Sequence, residues 1–400
     1  MLAAVFFCQP FGQLIAVLMA FAATAGFKSY IASASVTTSC SVIANDPTGE
    51  ECARTVDRAW RLVAGLGAVP AAVAIVFRLT IPESVYYNLD IKNDSQEAMR
   101  AREYFGSEDD LGHDDHPLPE SLEPSLHSNA QADGVVVELL EDPNQIKASR
   151  QDFYKYLFTD GNWTDLFATS VGWMLLDFTF YLLGVNSSSF VPRMYGEERG
   201  PSERPYQLLI RNARHIMEST TIGSLVGGLL AILIMHHYSR RKIQAYGFLV
   251  LGALFVIVGA LYMTLPTTNA HAVIVVFYGI CQLFYNLGPN TTTFIIPAES
   301  FPTRYRCTCY GISAAAGKLG SVLGQIVVTK VTSPKRLGLT LILFVIVMLV
   351  GAANSIYLVP ETCDSKGRSH RLEDLGKGKA HRTAIEKAES EHVEAQQKRQ

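Results

Sequence analysis

Apolar positions in this chain do not recur at amphipathic spacing; they gather into long blocks that are apolar on every side, separated by polar stretches. Eight blocks have membrane-spanning length: Met1–Phe27, Leu62–Leu79, Leu166–Ser188, Ile216–Met235, Gln244–Leu265, His271–Ile296, Tyr310–Val328 and Leu337–Leu358. A helix rises about 1.5 Å per residue and a bilayer's hydrocarbon core is about 30 Å thick, so roughly 20 apolar residues cross it. A helix that is apolar all round has to be wrapped by lipid or by other apolar helices. The pattern predicts an all-α membrane protein with about eight transmembrane helices. Met1–Phe27 has no basic leading region or small-residue cleavage pattern and is too long for a signal peptide, so it reads as a span.

The polar stretches divide the chain into four parts: 1–82 with two spans, 83–160 without any, 161–360 with six, and 361–400 as a charged tail. The second part has an acidic core, Glu108–Asp115, punctuated by Pro117, Pro119 and Pro124. It reads as a disordered connector with one short helix near Gln96–Tyr104. Short basic loops, Ser239–Lys242 and Arg304–Arg306, fall on one side with Lys366–Arg371 if each block crosses once, which makes that side cytoplasmic. Against the same rule, Val191–Arg214 lies outside while carrying Arg193, Arg199, Arg204, Arg211 and Arg214. An amphipathic helix in that stretch, or a shift of the third and fourth spans, would relieve the conflict. GxxxG pairs, Gly223/Gly227 and Gly320/Gly324, and the cluster Gly65, Gly67 and Pro70 predict close helix packing.

Composition narrows the function. The chain is 48% hydrophobic and 18% charged with a formal net charge of −3, which leaves no concentrated basic surface for nucleic acid. The seven cysteines form no metal signature. Cys8 and Cys281 are expected as small buried hydrophobes, Cys307 and Cys309 as packed or solvent-exposed, and Cys40 and Cys52 flank a loop they could bridge. Nothing suggests an enzyme, a cofactor or a nucleotide pocket.

Within the apolar blocks a few polar residues stand out. Asp177 is the only charge in the 27 residues from Leu166 to Pro192, with Trp173 and Tyr181 one turn to either side. Residues at i, i+4 and i+8 drift only about 80° around a helix, so the three share a face. Lys318 is the only charge from Cys307 to Thr329. Such charges are costly in a membrane and are tolerated where they face a polar cavity or each other. Asn286 and Asn290 form another i, i+4 pair around Pro289, and Gln9 and Gln13 another around Pro10 and Gly12. A carboxyl, an ammonium and neutral donors together suit a small protonated oxyanion such as dihydrogen phosphate; sulfate has no proton to give the carboxylate. The bland alternative is an Asp177–Lys318 ion pair that only joins two helices. Glu299 with Arg304 forms a candidate latch at a cytoplasmic helix end, and His236 and His237 read as interfacial.

Taken in order, these residues resemble the major facilitator superfamily and, within it, the fungal proton-coupled inorganic phosphate symporters. The likeness covers about Met1–Glu83 and Asp152–Glu361. It is carried by the run Ala3 to Gln13, by Trp60-Arg61 with Gly65 to Pro70, by Pro82-Glu83-Ser84 and by the Trp173–Asp177–Tyr181 face. Asn286 to Phe294, Pro297-Ala298-Glu299 with Phe301 to Arg304, and Gly317-Lys318 continue it. The resemblance implies a major facilitator bundle lacking its first four helices, with phosphate contacts from Gln9, Trp173, Asp177, Tyr181 and Asn290. It implies Lys318 beside the phosphate, Asp177 as the proton-coupling group, gating by Glu299, Arg304 and Arg241, and a plasma-membrane location. Inorganic phosphate, protons and the lipid bilayer are the expected partners. In the loop before the fifth block, His237 and Arg240 replace the family's acidic residue and glycine, which weakens that gating motif. A glycerophosphodiester or sugar cargo, or a non-transporting sensor or relic, are the alternative readings.

Overall fold

A computed structural model describes residues 2–28, 47–84, 87–88, 92, 94–105, 149–195, 205–264, 271–328 and 334–362. The acidic run Glu108–Asp115, the tail beyond 362, Arg199, Arg204, Cys40 and the Cys52 side chain lie outside the described residues.

Every regular element among the described residues is helical. They are α1 (Leu2–Gly26), α2 (Pro47–Thr80), α3 (Ser95–Phe105), α4 (Arg150–Tyr154), α5 (Trp163–Val185), α6 (Ser187–Met194), α7 (Pro205–Ile216), α8 (Ile222–Ile234), α9 (Arg240–Thr264), α10 (His271–Leu287), α11 (Pro289–Ser300), α12 (Thr303–Val328) and α13 (Pro334–Tyr357). One π-helical turn, Lys155–Thr159, follows α4, and another, Met217–Thr221, joins α7 to α8. Among the described residues seven stretches are long and apolar enough to cross a membrane, so this is a multi-pass integral membrane protein. The block expected at Tyr310–Val328 is not among the seven. It does form the 26-residue helix α12, but Lys318, glycines and serines dilute its apolar character.

Two spans differ from their expected limits. α2 starts at Pro47 rather than near Leu62, because proline suits a first helical turn and nothing beyond it breaks the helix. The added turns carry the exposed pair Arg61–Asp57, 2.7 Å apart. Gly65 and Gly67 were expected to pack closely, but a Cβ at either would meet nothing within 4 Å. The fourth span runs from Tyr206 to Ile234, so Arg211 and Arg214 sit on its helical extension instead of in a loop. Arg214 Nε there pairs with Glu218 Oε1 at 3.0 Å. This removes part of the conflict with the positive-inside rule.

The chain divides into two compact units. The first comprises Met1–Ile75, Asp165–Pro297 and Ile312–Arg368. Its core is a facing pair of stripes, Phe248, Leu251, Phe255 and Val258 on α9 against Leu341, Phe344, Met348 and Ala352 on α13. The Phe255 and Phe344 rings pack at 5.3 Å and 69°. Leu176, Leu182 and Leu183 of α5 and Tyr278, Cys281 and Tyr285 of α10 complete it. Cys281 is buried as expected; Cys8 is exposed on α1, on a face left uncovered by the described residues.

Pairing order reveals helix direction. On α5 and α12, Thr169 meets Ser313, Asp177 meets Lys318 and Tyr181 meets Gln325, so the two run parallel. On α9 and α13, Gly259 lies over Leu341, Gly252 over Met348 and Gly351 over Phe248, so these run antiparallel. Gly223 and Gly227 of α8 abut the Gly279 and Leu283 carbonyls of α10, again in parallel. These directions are the ones required if every span crosses once.

The second unit comprises Val76–Thr164, Ala298–Gly311 and Ser369–Gln400. The helix expected near Gln96–Tyr104 is α3, Ser95–Phe105. Ser149 caps α4 by accepting from the Asp152 N–H at 3.1 Å. Asp152 accepts the Tyr305 hydroxyl and pairs with Arg304 Nη1 at 3.1 Å, while Phe153 and Tyr156 pack on the Tyr305 ring at 5.1 and 5.0 Å. Gly161, at φ 78°, turns the chain toward α5 in a conformation that favours glycine.

Candidate functional site

The residues expected to bind the solute fall into two sets, both in the first unit. One is built on α5 and α12. Trp173, Asp177 and Tyr181 share a face of α5, and Lys318 reaches them from α12. Lys318 Nζ lies 3.3 Å from Asp177 Oδ2 and donates to the Tyr181 hydroxyl at 3.1 Å, with the ammonium 4.5 Å from the Tyr181 ring centroid. The Trp173 indole donates to the Asp177 carboxylate. The pair is asymmetric: the Asp177 side chain is 3% exposed and that of Lys318 61%. The carboxylate is enclosed by named donors, while the ammonium opens onto accessible space.

Glycine makes this approach possible. A Cβ at Gly317 would sit 2.6 Å from Trp173 Cδ1 and 2.9 Å from Asp177 Oδ2. One turn further on, a Cβ at Gly320 would overlap the Met174 carbonyl oxygen. Gln325 Nε2 donates to the Tyr181 carbonyl at 3.0 Å and its Oε1 accepts from Asn186 Nδ2 at 2.9 Å, closing the end of the seam. Gln325 and Asn186 escaped the sequence reading, and Gly317 entered it only as part of the resemblance. Gln325 lies seven residues past Lys318, on the same helix face, a spacing that marks it in retrospect.

The second set joins α1 to the break between α10 and α11. Pro289 has no N–H to continue the ladder, and Gly247 of α9 leaves room for Gly288 and Pro289. Just past the break, Asn290 Nδ2 donates both to Gln9 Oε1 and to Asn286 Oδ1, each at 3.0 Å. Asn286 Nδ2 donates to the Gln282 carbonyl at 3.0 Å. Gln13 does not join them; its Oε1 is buried without a hydrogen-bond partner among the described residues. Between the sets, the Tyr285 hydroxyl donates to Thr179 Oγ1 at 2.8 Å, tying α10 to α5.

The expected gating residues are spread over both units. Glu299 ends α11 and Arg304 opens α12 in the second, where Arg304 meets Asp152 as described. Arg241 belongs to the first, and its Nη2 donates to the Ile356 carbonyl at 2.7 Å. Nearby, Ser239 Oγ donates to Glu361 Oε2 at 2.5 Å, and His236 and His237 are exposed. Among the described residues there is no His, Cys, Asp or Glu cluster able to hold a metal.

Comparison with known proteins gives this geometry a family. The family described as "Sugar (and other) transporter" matches residues 18–371. The chain is 33% identical over 371 residues to a repressible high-affinity phosphate permease of Neurospora crassa, covering 90% of this chain and 60% of that one. It is 33% identical over 326 residues to the inorganic phosphate transporter PHO84 of Saccharomyces cerevisiae, covering 80% of this chain and 51% of that one. It thus spans between half and two thirds of the length of these relatives. Among solved structures, the major facilitator superfamily proton:xylose symporter XylE superposes with a TM-score of 0.57 at 16% identity, over 94% of this chain and 66% of that one. That likeness concerns the fold alone. The chain belongs to the family described as "Sugar (and other) transporter", and its fold is similar to that of a major facilitator protein.

Proposed function

We propose that this chain carries inorganic phosphate together with protons across the plasma membrane. The observation that carries the reading is the enclosed Asp177 carboxylate, held by Trp173 and Lys318 and the only charge from Leu166 to Pro192. The similarity to phosphate permeases and transporters supports the same cargo. Gln9, Trp173, Asp177, Tyr181, Asn290 and Lys318 form the phosphate site in this reading. Residues 1–82 and 161–360 supply the helices of the two bundles, 83–160 connects them, and 361–400 is a cytoplasmic tail. Glu299, Arg304 and Arg241 act at the cytoplasmic gate.

The chemistry follows from the groups present. Dihydrogen phosphate brings one negative charge and two P–O–H donors. Its charge is drawn to the Lys318 ammonium, whose side chain is the accessible member of the pair. Approach of the anion loosens the hold of Lys318 on Asp177. An enclosed carboxylate without its cation is costly, so Asp177 takes up a proton from solution, and its other oxygen accepts a hydrogen bond from the phosphate O–H. Charge inside the bundle is then nearly balanced, which lets the loaded site change the side to which it opens.

Uptake of labelled phosphate by cells lacking their own phosphate transporters tests the reading directly. Expression of the chain should restore uptake that rises as external pH falls. Asp177→Asn should abolish the pH dependence and most of the flux. Uptake by this variant equal to the unsubstituted chain at acidic pH would remove Asp177 from proton coupling. Inhibition by glucose rather than by phosphate analogues would favour a sugar cargo.

A further inference from the structure

Beyond the residues assigned above, we propose that Asn286 is a positioning residue that sets the donor and acceptor polarity of the anion site. Through it Gln9 offers a donor and Asn290 an acceptor. The inference rests on the phosphate reading.

A side-chain amide can be turned end for end with little steric change, so its hydrogen-bond network decides which end faces where. Here the network has one end that cannot be reversed. The Gln282 backbone carbonyl only accepts, so the part of Asn286 that lies 3.0 Å from it is the NH₂ group. Asn286 must then turn Oδ1 toward Asn290, and Asn290 answers with its own NH₂ at 3.0 Å. The second proton of that NH₂ goes to Gln9 Oε1, also at 3.0 Å. Both Asn290 protons are spent. What Asn290 has left for a solute is its carbonyl oxygen, and what Gln9 has left is Nε2. Gln282, Asn286 and Asn290 are 3%, 2% and 6% exposed, so bulk water does not compete for the anchoring bonds.

This polarity bears on selectivity. An acceptor is matched only by a ligand that brings a proton. Dihydrogen phosphate has P–O–H groups to give to Asn290 and bare oxygens to take from Gln9. Sulfate has only bare oxygens at neutral pH, so it leaves Asn290 facing a lone pair. An unmatched buried acceptor of this kind weakens binding by roughly ten- to a hundredfold. Asp177 discriminates in the same sense from the other set of residues, so two acceptors on different helices ask for the proton.

The test uses the full chain purified in detergent, with the rise in thermal unfolding midpoint on adding inorganic phosphate or sulfate as the readout. The unsubstituted chain should respond to phosphate and hardly to sulfate. In Asn286→Leu the relay is cut and Asn290 is free to turn. The concentration giving half the phosphate response should rise roughly tenfold, and a sulfate response should emerge. Asn286→Ser keeps a hydroxyl that can donate to the carbonyl four residues back and accept from Asn290, so it should restore discrimination to within about threefold. If the leucine variant does not fold, Asn286→Ala is expected to show the same loss. Discrimination unchanged in the apolar variants, or as poor in serine as in leucine, overturns the inference alone. No phosphate response in the unsubstituted chain overturns the phosphate reading and the inference together.

Discussion

At the scale of single residues, the site depends as much on what is missing as on what is present. Gly317 places no carbon where the Trp173 indole and the Asp177 carboxylate meet. Gly317→Ala should push the indole aside and weaken phosphate binding by about tenfold or more, read as the phosphate concentration giving half-maximal uptake. Gly184→Ala, on the same α5 but with nothing within 4 Å of the added carbon, should leave uptake unchanged. Residues of this size show where sequence reading runs out. Asp177 and Lys318 were legible because a lone charge in an apolar run is too costly to keep without a partner or a polar cavity. Trp173 and Tyr181 followed from helical spacing. The Gln9–Asn290 bond joins residues 281 positions apart, and no local pattern reports a contact at that separation. The exposure of Cys8 was misjudged for a related reason: an apolar run shows that a helix is wrapped in apolar matter, not whether lipid or protein does the wrapping.

Among elements, the helices meet backbone to backbone. No hydrophobic force draws apolar helices together inside lipid, so close approach and polar stitches have to supply cohesion. α8 and α10 touch where a Cβ at Gly227 would overlap the Leu283 carbonyl. Gly227→Leu should therefore destabilise the bundle by about 3 kcal/mol or more, seen as a lower midpoint in thermal unfolding of detergent-solubilised protein. In the second unit, Asp152 accepts the Tyr305 hydroxyl and pairs with Arg304. Asp152→Ala should free α4 and the following π turn, costing about 1–3 kcal/mol and exposing residues 149–160 to limited proteolysis. Most spans could be read from apolar length, with ends misplaced wherever charged turns continue a helix. α2 begins well before its apolar block, and α7 extends the fourth span outward. Helical propensity carries on through such turns, whereas hydropathy stops at the first charge.

For the molecule as a whole, topology offers the clearest check. The parallel course of α5 with α12 and of α8 with α10, and the antiparallel course of α9 with α13, all agree with strict alternation of crossings. With the basic turn at Arg240–Lys242 inside, a cysteine placed at Tyr238 should resist membrane-impermeant maleimide in intact cells and react once they are opened. A cysteine at Val185, at the far end of α5, should show the opposite behaviour. The close contacts at Gly227 and Gly320 also have a mechanical meaning. Two helices whose backbones already touch cannot slide past each other, so α8 with α10 and α5 with α12 must each swing as one rigid spar. Compliance is then concentrated at Gly288 and Pro289, where the spar containing α10 gives way to α11. Any bending of this bundle is therefore expected at that joint before it is expected within either helix pair.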